Sequence, residues 1–447
     1  MRFYGFREMI SFYADHSPDA PAFLTGGADE PQTVSYRDFL SDVTERAVSL
    51  RKSGKTCLGV LCDGSYECVT AVFSAVEAGM QVVMMNGNVS PEQVSLTDAD
   101  WLWGDEDELE ELCPALTDGV KDGKGKVLFF TSGTTAKTKA VTLTEKSLCA
   151  SAYNGGALLP LSPDDILMCM LPLDHVFGFV CGVLWGLSCG ACVALGRGPR
   201  HYFDDLTYFK PTALSAVPML LGFLLQKNLL NEELKLVLIG AGDCPPAIPA
   251  ALKAQGRRVC FGYGLTETSS GVALSLGDDP YAMTVCPDDE ITLAEDGEIL
   301  IKNETCMMRG YYKDDEATAA VLRDGVLFTG DLGRFDDNGL LHVIGRKKEI
   351  LVLADGTKLF LSEYEQELRR ALPDRDFAVI GQDGAAVLVV SGNGGDKEQV
   401  EAAVGEVMKA QPLGRRVKSI RFVPYPLPRT ATGKIKRWEL QQKVGKK

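Results

Sequence analysis

A hydroxyl-rich stretch at residues 131–139 constrains the fold of this chain more than any other feature. It reads Thr-Ser-Gly-Thr-Thr-Ala-Lys-Thr-Lys, follows the apolar run 127–130, and precedes an alternating run at 140–144 and a helical pattern from Glu145. This order predicts a strand, a loop, a second strand and a helix. The loop can aim hydroxyls and backbone N–H groups at a polyphosphate, with Lys139 as the counter-charge. It lacks the spacing of a P-loop, and an ordinary polar hairpin turn explains the stretch by itself equally well.

The acidic balance of the chain excludes some classes of partner. Its formal net charge is −15, whereas nucleic acids and anionic membrane surfaces reward clustered positive charge. We therefore expect no nucleic-acid partner.

The 13 cysteines are odd in number, and none follows Cys306. This usage favours reduced thiols in the cytoplasm over a secreted disulfide framework.

One run, at residues 176–196, carries no charged side chain. A span of about 20 residues is long enough to cross a bilayer. Five glycines interrupt the run, at positions 178, 182, 186, 190 and 196, and no second run of this kind accompanies it. We predict a buried helix that leads into a buried strand, and no integral membrane segment.

Helical and strand patterns alternate near the start of the chain. A helical pattern at 37–52 precedes a strand at 58–62, and a second helical pattern at 65–80 precedes a strand at 82–85. This alternation predicts a parallel sheet with helices on its faces, the α/β class. The residues from 346 onward predict a separate small unit of mixed strands and helices.

Two further strands are each predicted to end in a glycine-rich loop. The strand at 236–239 leads into Gly-Ala-Gly, and the strand at 259–261 leads into Gly-Tyr-Gly-Leu-Thr-Glu. In open α/β sheets, ligands gather at the carboxyl ends of strands. Tyr263 can lie against a base, and Glu267 can hold a divalent cation on phosphate oxygens. Asp331, in a Thr-Gly-Asp turn, can accept hydrogen bonds from a sugar diol, although each segment alone also fits an ordinary turn.

Together these segments resemble the adenylate-forming superfamily of acyl-CoA synthetases, carrier-protein adenylation domains and luciferases. The resemblance covers nearly the whole chain. It rests on eight motifs in one order, at residues 131–139, 172–178, 240–242, 263–268, 309–311, 329–333, 345–349 and 430–434. It implies an α/β fold in two domains. Residues 1–345 would form a large N-terminal domain of stacked α/β subdomains with a small β-barrel-like part, and residues 346–447 a small mobile α+β C-terminal domain.

The reaction implied by the resemblance has two steps. A carboxylate is a poor acyl electrophile because its leaving group is oxide, so the family joins it to the AMP part of ATP and releases pyrophosphate. A thiol, usually that of coenzyme A, then displaces AMP. Preorganised cations and donors around the α-phosphate lower the barrier. The implied cofactors are therefore ATP, Mg²⁺ and coenzyme A, with an acyl carrier protein as the alternative acceptor.

The resemblance also implies a set of site residues by motif position. They are, for the phosphates, Thr131, Ser132, Gly133, Thr134, Thr135 and Lys139; for the adenine, Gly240, Ala241, Gly242, Tyr263 and Gly264; for the ribose, Asp331 and Arg346; for the α-phosphate, Thr266; for Mg²⁺, Glu267; for the carboxylate and α-phosphate oxygens, Lys434; for the edge of the acyl pocket, His175; and for the hinge, Lys348. The implied catalytic residues among them are Lys434, Thr266, Glu267 and His175.

The sequence departs from the family pattern in the phosphate loop. Ala136, Thr138 and Ala140 stand where Gly, Pro and Gly are usual, which implies a loop that is less mobile or bent differently. The apolar, glycine-rich stretch after His175 favours a fatty or aromatic carboxylate as the substrate. Amino-acid members place an Asp in this region, and Asp174 keeps that alternative open. A non-catalytic nucleotide-binding relative is the second alternative.

Overall fold

A computed structural model describes most of the chain. The residues outside the description are 88–92, 94–95, 98, 104–108, 112–124, 132–137, 243, 354–357, 413–414, 430–434 and 446–447. Most of the predicted phosphate loop and the predicted catalytic lysine therefore lie outside the described residues. These predicted site residues are Ser132, Gly133, Thr134, Thr135 and Lys434.

Helices and strands alternate through most of the chain, which confirms the predicted α/β class. The strands are β1 Pro21–Thr25, β2 Gln32–Ser35, β3 Cys57–Leu61, β4 Gln81–Met85, β5 Trp101–Trp103, β6 Leu109–Glu111, β7 Lys126–Thr131, β8 Lys139–Thr144, β9 Ile166–Cys169, β10 Cys192–Leu195, β11 Ala213–Ala216, β12 Leu236–Ile239, β13 Arg258–Leu265, β14 Ser270–Ser275, β15 Met283–Val285, β16 Glu290–Leu293, β17 Glu298–Lys302, β18 Gly310–Tyr311, β19 Leu322–Arg323, β20 Val326–Phe335, β21 Leu341–Arg346, β22 Ile350–Val352, β23 Lys358–Phe360, β24 Phe377–Gln382, β25 Ala385–Ser391 and β26 Ser419–Val423.

The helices cover both sheets and the C-terminal part of the chain. They are α1 Phe6–His16, α2 Tyr36–Ser53, α3 Tyr66–Glu77, α4 Glu145–Leu158, α5 Val176–Phe179, α6 Trp185–Ser188, α7 Asp205–Phe209, α8 Pro218–Gln226, α9 Ala247–Ala254, α10 Asp315–Val321, α11 Leu361–Ala371, α12 Lys397–Lys409 and α13 Arg437–Gly445. Short 3₁₀ turns occupy Pro199–His201, Thr266–Thr268 and Lys347–Glu349.

The smaller sheet carries the first β-α-β units and the predicted phosphate hairpin. Its seven strands lie in the order β18-β8-β7-β4-β3-β5-β6, and β3 pairs in parallel with β4 and β5, as does β4 with β7. β7 and β8 form an antiparallel pair, and α4 begins directly after β8. Thr144 caps α4, because its hydroxyl accepts from the amide of Ser147. The predicted strands and helix around the hydroxyl-rich loop are confirmed.

The larger sheet has a parallel half and an antiparallel half. β1 and β9 to β13 are parallel, and they are strongly apolar because helices cover both faces. From β13 the sheet continues antiparallel through β14 and β15, and its far edge is β16. Among the described strands this path is open, so the predicted barrel-like part is the antiparallel end of the sheet rather than a closed barrel.

The charge-free run forms the predicted buried helix and strand. Helices α5 and α6 are joined through a π-helical turn at Val180–Leu184, and β10 follows. Gly178 lets the helix approach the preceding chain, because a Cβ there would lie 2.1 Å from the carbonyl oxygen of Pro172. Among the described residues, no helix combines the length and the apolar character that a membrane span requires.

The segment 262–265 was predicted as a loop, and that prediction was wrong. These residues continue β13 and pair antiparallel with β14, where Gly264 lies opposite Gly271. The register shifts between Tyr263 and Gly264, which is the signature of a bulge. The glycines therefore accommodate a bulged strand instead of ending it.

The Thr-Gly-Asp segment before residue 332 was also predicted as a turn. It lies inside β20, and Asp331 stands opposite Arg346 of β21. Gly330 has a φ of 70°, a conformation that glycine adopts without strain. The positive φ bends the strand locally, and the prediction of a turn was wrong.

The residues after β21 build hydrophobic clusters of their own. β24, β25 and β26 form a three-stranded sheet, and α11 and α12 contribute Tyr364, Leu368 and Val404 to one cluster against it. A second cluster packs α13 against the same sheet. The Arg437 guanidinium donates to Glu365 at 2.6 Å and fixes the start of α13. The domain boundary at residue 346 and the mobility of the C-terminal domain stay predictions.

A half-buried carboxyl group, that of Asp289, ties α4 to the segment after β17. Asp289 accepts hydrogen bonds from Asn154 Nδ2 at 2.7 Å and from Asn303 Nδ2 at 2.6 Å. Burial raises the pKa of Asp289 to about 7, and the two amide donors act against that rise. The carboxylate of Asp288 adds a smaller upward effect.

We expect Asp289 to make the free energy of unfolding depend on pH. Its folded-state pKa lies above the ordinary 3.8, so folding favours the protonated form. The stabilisation is complete below about pH 4 and is lost as the pH rises toward 7. Urea unfolding should show a loss on the order of 1–3 kcal/mol over this window, and Asp289→Asn should flatten it. Asp337→Asn, at an exposed position, is the control; an unchanged slope in Asp289→Asn contradicts the assignment.

Candidate functional site

The open end of the β7–β8 hairpin holds Thr131 and Lys139 together. They are the cross-strand pair next to residues 132–137, and the Thr131 hydroxyl donates to the carbonyl of Lys139 at 3.4 Å. Both residues are half-buried. The two outermost residues predicted for the phosphates therefore lie side by side, one on each strand.

Tyr311 joins this hairpin to the turn that follows β13. β18 pairs with β8, with Tyr311 opposite Val141. The Lys139 ammonium lies 4.3 Å from the centre of the Tyr311 ring, a cation–π distance. The Tyr311 hydroxyl donates to Glu267 Oε1 at 2.7 Å. Lys139 lies in the smaller sheet and Glu267 in the turn that follows β13 of the larger sheet. The two residues come from separate motifs, and both contact the same tyrosine.

The 3₁₀ turn Thr266–Thr268 holds Glu267 by its backbone. The buried Thr268 hydroxyl accepts from the amide of Leu265 at 3.1 Å, and the Glu267 carbonyl accepts from the amide of Met308 at 2.8 Å. In the described part of the chain, no hydrogen bond or ion pair occupies Glu267 Oε2. The backbone of this turn is thus fixed while one carboxylate oxygen stays available.

The oxygen chemistry at Glu267 fits Mg²⁺. This ion prefers hard oxygen ligands and usually binds through one or two carboxylates plus substrate phosphates and water. The described residues contain no cluster of three metal-ligating side chains. A Mg²⁺ ion here would therefore take one ligand from Glu267 and the others from phosphate oxygens and water.

Asp331 lies between Tyr263 and Arg346. Its Oδ2 accepts from the Tyr263 hydroxyl at 3.0 Å, and its Oδ1 pairs with Arg346 Nε at 2.9 Å. Burial acts to lower the pKa of the Arg346 guanidinium, but the charges of Asp331 and, to a smaller extent, of Glu349, Tyr263 and Glu267 together outweigh burial and raise it. Burial also raises the pKa of the Tyr263 hydroxyl, which therefore stays a donor. The three predicted nucleotide residues form one hydrogen-bonded group.

The predicted adenine segment 240–242 packs on the helix that follows His175. A Cβ on Gly240 would lie 2.8 Å from Phe177 Cζ, so any other residue would have to displace this ring. Ala241 has a φ of 67°, a left-handed conformation that is uncommon for a residue with a Cβ. The segment follows the carboxyl end of β12, beside β13 and Tyr263.

His175 immediately precedes α5, and its neighbour Asp174 contacts a different part of the chain. The His175 Nε2 atom is buried and has no hydrogen-bond partner among the described residues. Asp174 is buried and accepts from Asn86 Nδ2 at 3.0 Å. An unpaired buried nitrogen is costly unless a ligand or water completes it. His175 therefore offers a polar contact to a ligand, whereas Asp174 already has an amide partner.

An apolar cavity of about 30 Å³ lies behind β14. Trp185 forms one wall, and its indole N–H donates to the carbonyl of Leu159 at 3.0 Å. The lining also includes Gly156, Cys181, Leu238 and Gly271. Gly271 stands opposite Gly264 across the β13–β14 pair. The cavity is thus one strand away from the glycine-rich end of β13.

The predicted hinge lies in the 3₁₀ turn after β21. Lys348 is exposed. Its neighbour Lys347 is held by two carboxylates, with its Nζ 2.6 Å from Asp296 Oδ2 and 2.7 Å from Glu298 Oε2. Glu298 Oε1 also accepts from the amide of Gly330 at 2.8 Å. The chain is therefore anchored up to Lys347, and Lys348 is the first residue beyond the anchor.

Sequence reasoning assigned no role to several residues that connect the site. Tyr311 lies in the Arg-Gly-Tyr motif, which was its only signal, and its partner 44 positions away is visible only in the fold. Phe177 and Asn86 contact predicted residues through packing and long-range hydrogen bonding. No local pattern announces such contacts.

The chain matches a family model and several named relatives. The model of the AMP-binding enzymes matches residues 105–312. An octahydro-indenyl-propanoyl:CoA ligase of Mycobacterium tuberculosis is 30% identical over 70% of this chain and 66% of its own length. A 2-succinylbenzoate–CoA ligase of Bacillus cytotoxicus is 26% identical over 95% of this chain and 98% of its own length.

Solved structures share the whole architecture. The O-succinylbenzoate coenzyme A synthetase MenE of Bacillus subtilis, in complex with AMP, superposes with a TM-score of 0.82 at 21% identity, covering 97% of this chain and 98% of its own. The same enzyme in complex with ATP and a magnesium ion gives a TM-score of 0.80. At this identity the likeness shows the fold. Residues 105–312 thus match the AMP-binding domain of the family model, and most of the chain is similar to enzymes named as CoA ligases.

Proposed function

We propose that this protein is an AMP-forming acid–thiol ligase of the acyl-CoA synthetase type. It joins a carboxylic acid to the AMP part of ATP, releases pyrophosphate and passes the acyl group to a thiol. Two neighbouring groups of contacts carry the proposal, Lys139–Tyr311–Glu267 and Tyr263–Asp331–Arg346. They lie near each other, because the charge of Glu267 contributes to the raised pKa of Arg346. The names of the relatives, which are CoA ligases, support coenzyme A as the thiol.

Each of these residues has a separate task toward ATP. The Asp331 carboxylate accepts from Tyr263 and pairs with Arg346, and it has further lone pairs to accept from the ribose hydroxyls. Lys139 and Thr131 face the phosphates, and the Thr266 hydroxyl reaches the α-phosphate. When bound, Mg²⁺ neutralises phosphate charge and polarises the phosphorus under attack. Glu267 supplies the protein's carboxylate to it.

The acyl group is proposed to lie between His175 and the cavity beside Trp185. The unpaired Nε2 of His175 would border the carboxylate end. The apolar cavity, whose volume of about 30 Å³ would have to widen on binding, would cover the hydrocarbon end. Asp174 already accepts from Asn86, which disfavours a role in binding an amino group. A fatty or aromatic acid therefore remains the proposed substrate class.

The C-terminal residues are proposed to form a mobile domain that delivers Lys434. The anchor at Lys347 and the exposed position of Lys348 suit a pivot there, since a few residues can absorb a large change in φ and ψ. Lys434 would then meet the carboxylate and α-phosphate oxygens in the first step. Each described cysteine is a free thiol, which supports a reducing, cytoplasmic location.

Carboxylate-dependent exchange of labelled pyrophosphate into ATP tests the proposal. A panel of fatty, aromatic and amino acids should show exchange with at least one fatty or aromatic acid and with Mg²⁺ present. Free coenzyme A and a phosphopantetheinyl carrier are then compared as acceptors, with coenzyme A expected to discharge the adenylate. ATP binding without exchange for any acid contradicts the proposal and indicates a non-catalytic relative.

A further inference from the structure

The Tyr311 hydroxyl is aimed at one oxygen of the Glu267 carboxylate. At 2.7 Å, a hydroxyl donor to an ionised carboxylate makes a charge-assisted bond that is shorter and stronger than a neutral one. Burial, followed by the Glu267 charge, raises the pKa of the Tyr311 hydroxyl. With Oε1 occupied, the carboxylate rotates less freely, and Oε2 is the oxygen left to bind.

Tyr311 also contacts two opposite charges. Lys139 lies over one face of the ring, while Glu267 is bonded at its hydroxyl edge. A lysine side chain is long and flexible enough to reach a nearby carboxylate directly. Such an ion pair would neutralise both groups and would compete with the phosphates for Lys139 and with the cation for Glu267. The ring gives the ammonium an alternative cation–π partner.

The backbone holds Tyr311 firmly enough for both tasks. β18 is hydrogen-bonded along β8, and the Tyr311 amide donates to Thr318 Oγ1 at 2.8 Å. The amide of Met308, three residues earlier, donates to the carbonyl of Glu267. The side chain is largely buried, with 8% of Tyr311 exposed. The tyrosine therefore spans the gap between the two sheets on a rigid strand.

We propose that Tyr311 is a positioning residue for the cation carboxylate: it fixes the orientation of Glu267 through its hydroxyl and keeps Lys139 from pairing with that carboxylate through its ring. The inference rests on the proposed function for the identity of the ligand, Mg²⁺ with ATP. Outer partners of metal ligands typically change metal affinity by about 10–100-fold when they are removed. The hydroxyl and the ring are separable, because Tyr311→Phe removes only the first and Tyr311→Leu removes both.

Calorimetric binding of ATP at increasing Mg²⁺ concentrations tests this inference without any turnover. For Tyr311→Phe, we expect the Mg²⁺ concentration for half-maximal ATP binding to rise about 10-fold, while AMP binding in the presence of a chelator stays unchanged. Tyr311→Leu should raise the Mg²⁺ requirement further and also weaken ATP binding, because Lys139 can then pair with Glu267. Tyr208→Phe, which removes a phenol hydroxyl bonded to the Gly27 amide, is the matched control.

Two results overturn the inference. An unchanged Mg²⁺ requirement in Tyr311→Phe removes the positioning role, and an equal loss of AMP binding in that variant indicates a general structural role. A different result contradicts the proposed function: the wild-type protein binds Mg²⁺ and ATP but exchanges no pyrophosphate with any acid. The two failures are therefore distinguishable.

Discussion

Glu267→Gln is expected to reduce carboxylate-dependent pyrophosphate exchange roughly 10²–10³-fold. The substitution keeps the shape of the side chain, and the amide oxygen can still accept from Tyr311, which bonds the carboxylate at 2.7 Å in the wild type. What is lost is the negative charge that would hold a cation on the phosphates. The effect should therefore appear in catalysis and in Mg²⁺-dependent ATP binding, with little change in the free energy of unfolding.

The measurement compares initial exchange rates at saturating ATP and acid, at several Mg²⁺ concentrations. Glu304→Gln, at an exposed carboxylate, provides the matched control and should behave like the wild type. AMP binding without Mg²⁺ should survive in Glu267→Gln, because Tyr263, Asp331 and Arg346 are untouched. An exchange rate within a few-fold of the wild type would show that Glu267 does not carry the cation.

The parts of the fold that were predictable follow from local patterns. The β7–β8 hairpin and α4 were readable because apolar runs and a helical pattern flank the hydroxyl-rich loop. The parallel strands β3 and β4 were readable because a helical pattern separates two apolar strands. The charge-free run was correctly predicted as a helix and a strand, because glycines interrupt it and no second run of this kind accompanies it. In each case the deciding signal lies within about twenty residues.

The predictions that were wrong concern segments whose structure depends on pairing with distant segments of the chain. β13 continues to Leu265 because β14 lies alongside it, and Asp331 lies in a strand because β21 supplies Arg346 as its neighbour. Glycine in either place reads locally as a turn, whereas the fold uses it for a bulge or a bend. The roles of Tyr311 and Asn86 could not be predicted for the same reason, since each acts on a residue far away in the chain.

The glycine at position 264 carries the second large expected effect. A Cβ there would lie 1.8 Å from the carbonyl oxygen of Ser270, far inside the contact distance of any real pair of atoms. The neighbouring backbone cannot yield easily, because the Ser270 carbonyl accepts from the Thr268 hydroxyl and the Ser269 hydroxyl donates to the carbonyl of Cys306. Gly264→Ala must therefore push β13 away from β14. It should also displace the turn that holds Glu267, because this turn comes directly after β13.

We expect Gly264→Ala to lower the free energy of unfolding by about 2–4 kcal/mol and to weaken ATP binding, since Tyr263 and Thr266 flank the displaced position. Gly262→Ala is the matched control on the same strand, because its Cβ would meet nothing closer than Leu274 Cδ2 at 3.4 Å. Gly262→Ala should lower the free energy of unfolding by less than about 1 kcal/mol. Urea unfolding and ATP titration of both variants separate the two positions. Equal losses in the two variants would show that the bulge, with its close approach to Ser270, does not set the geometry of the site.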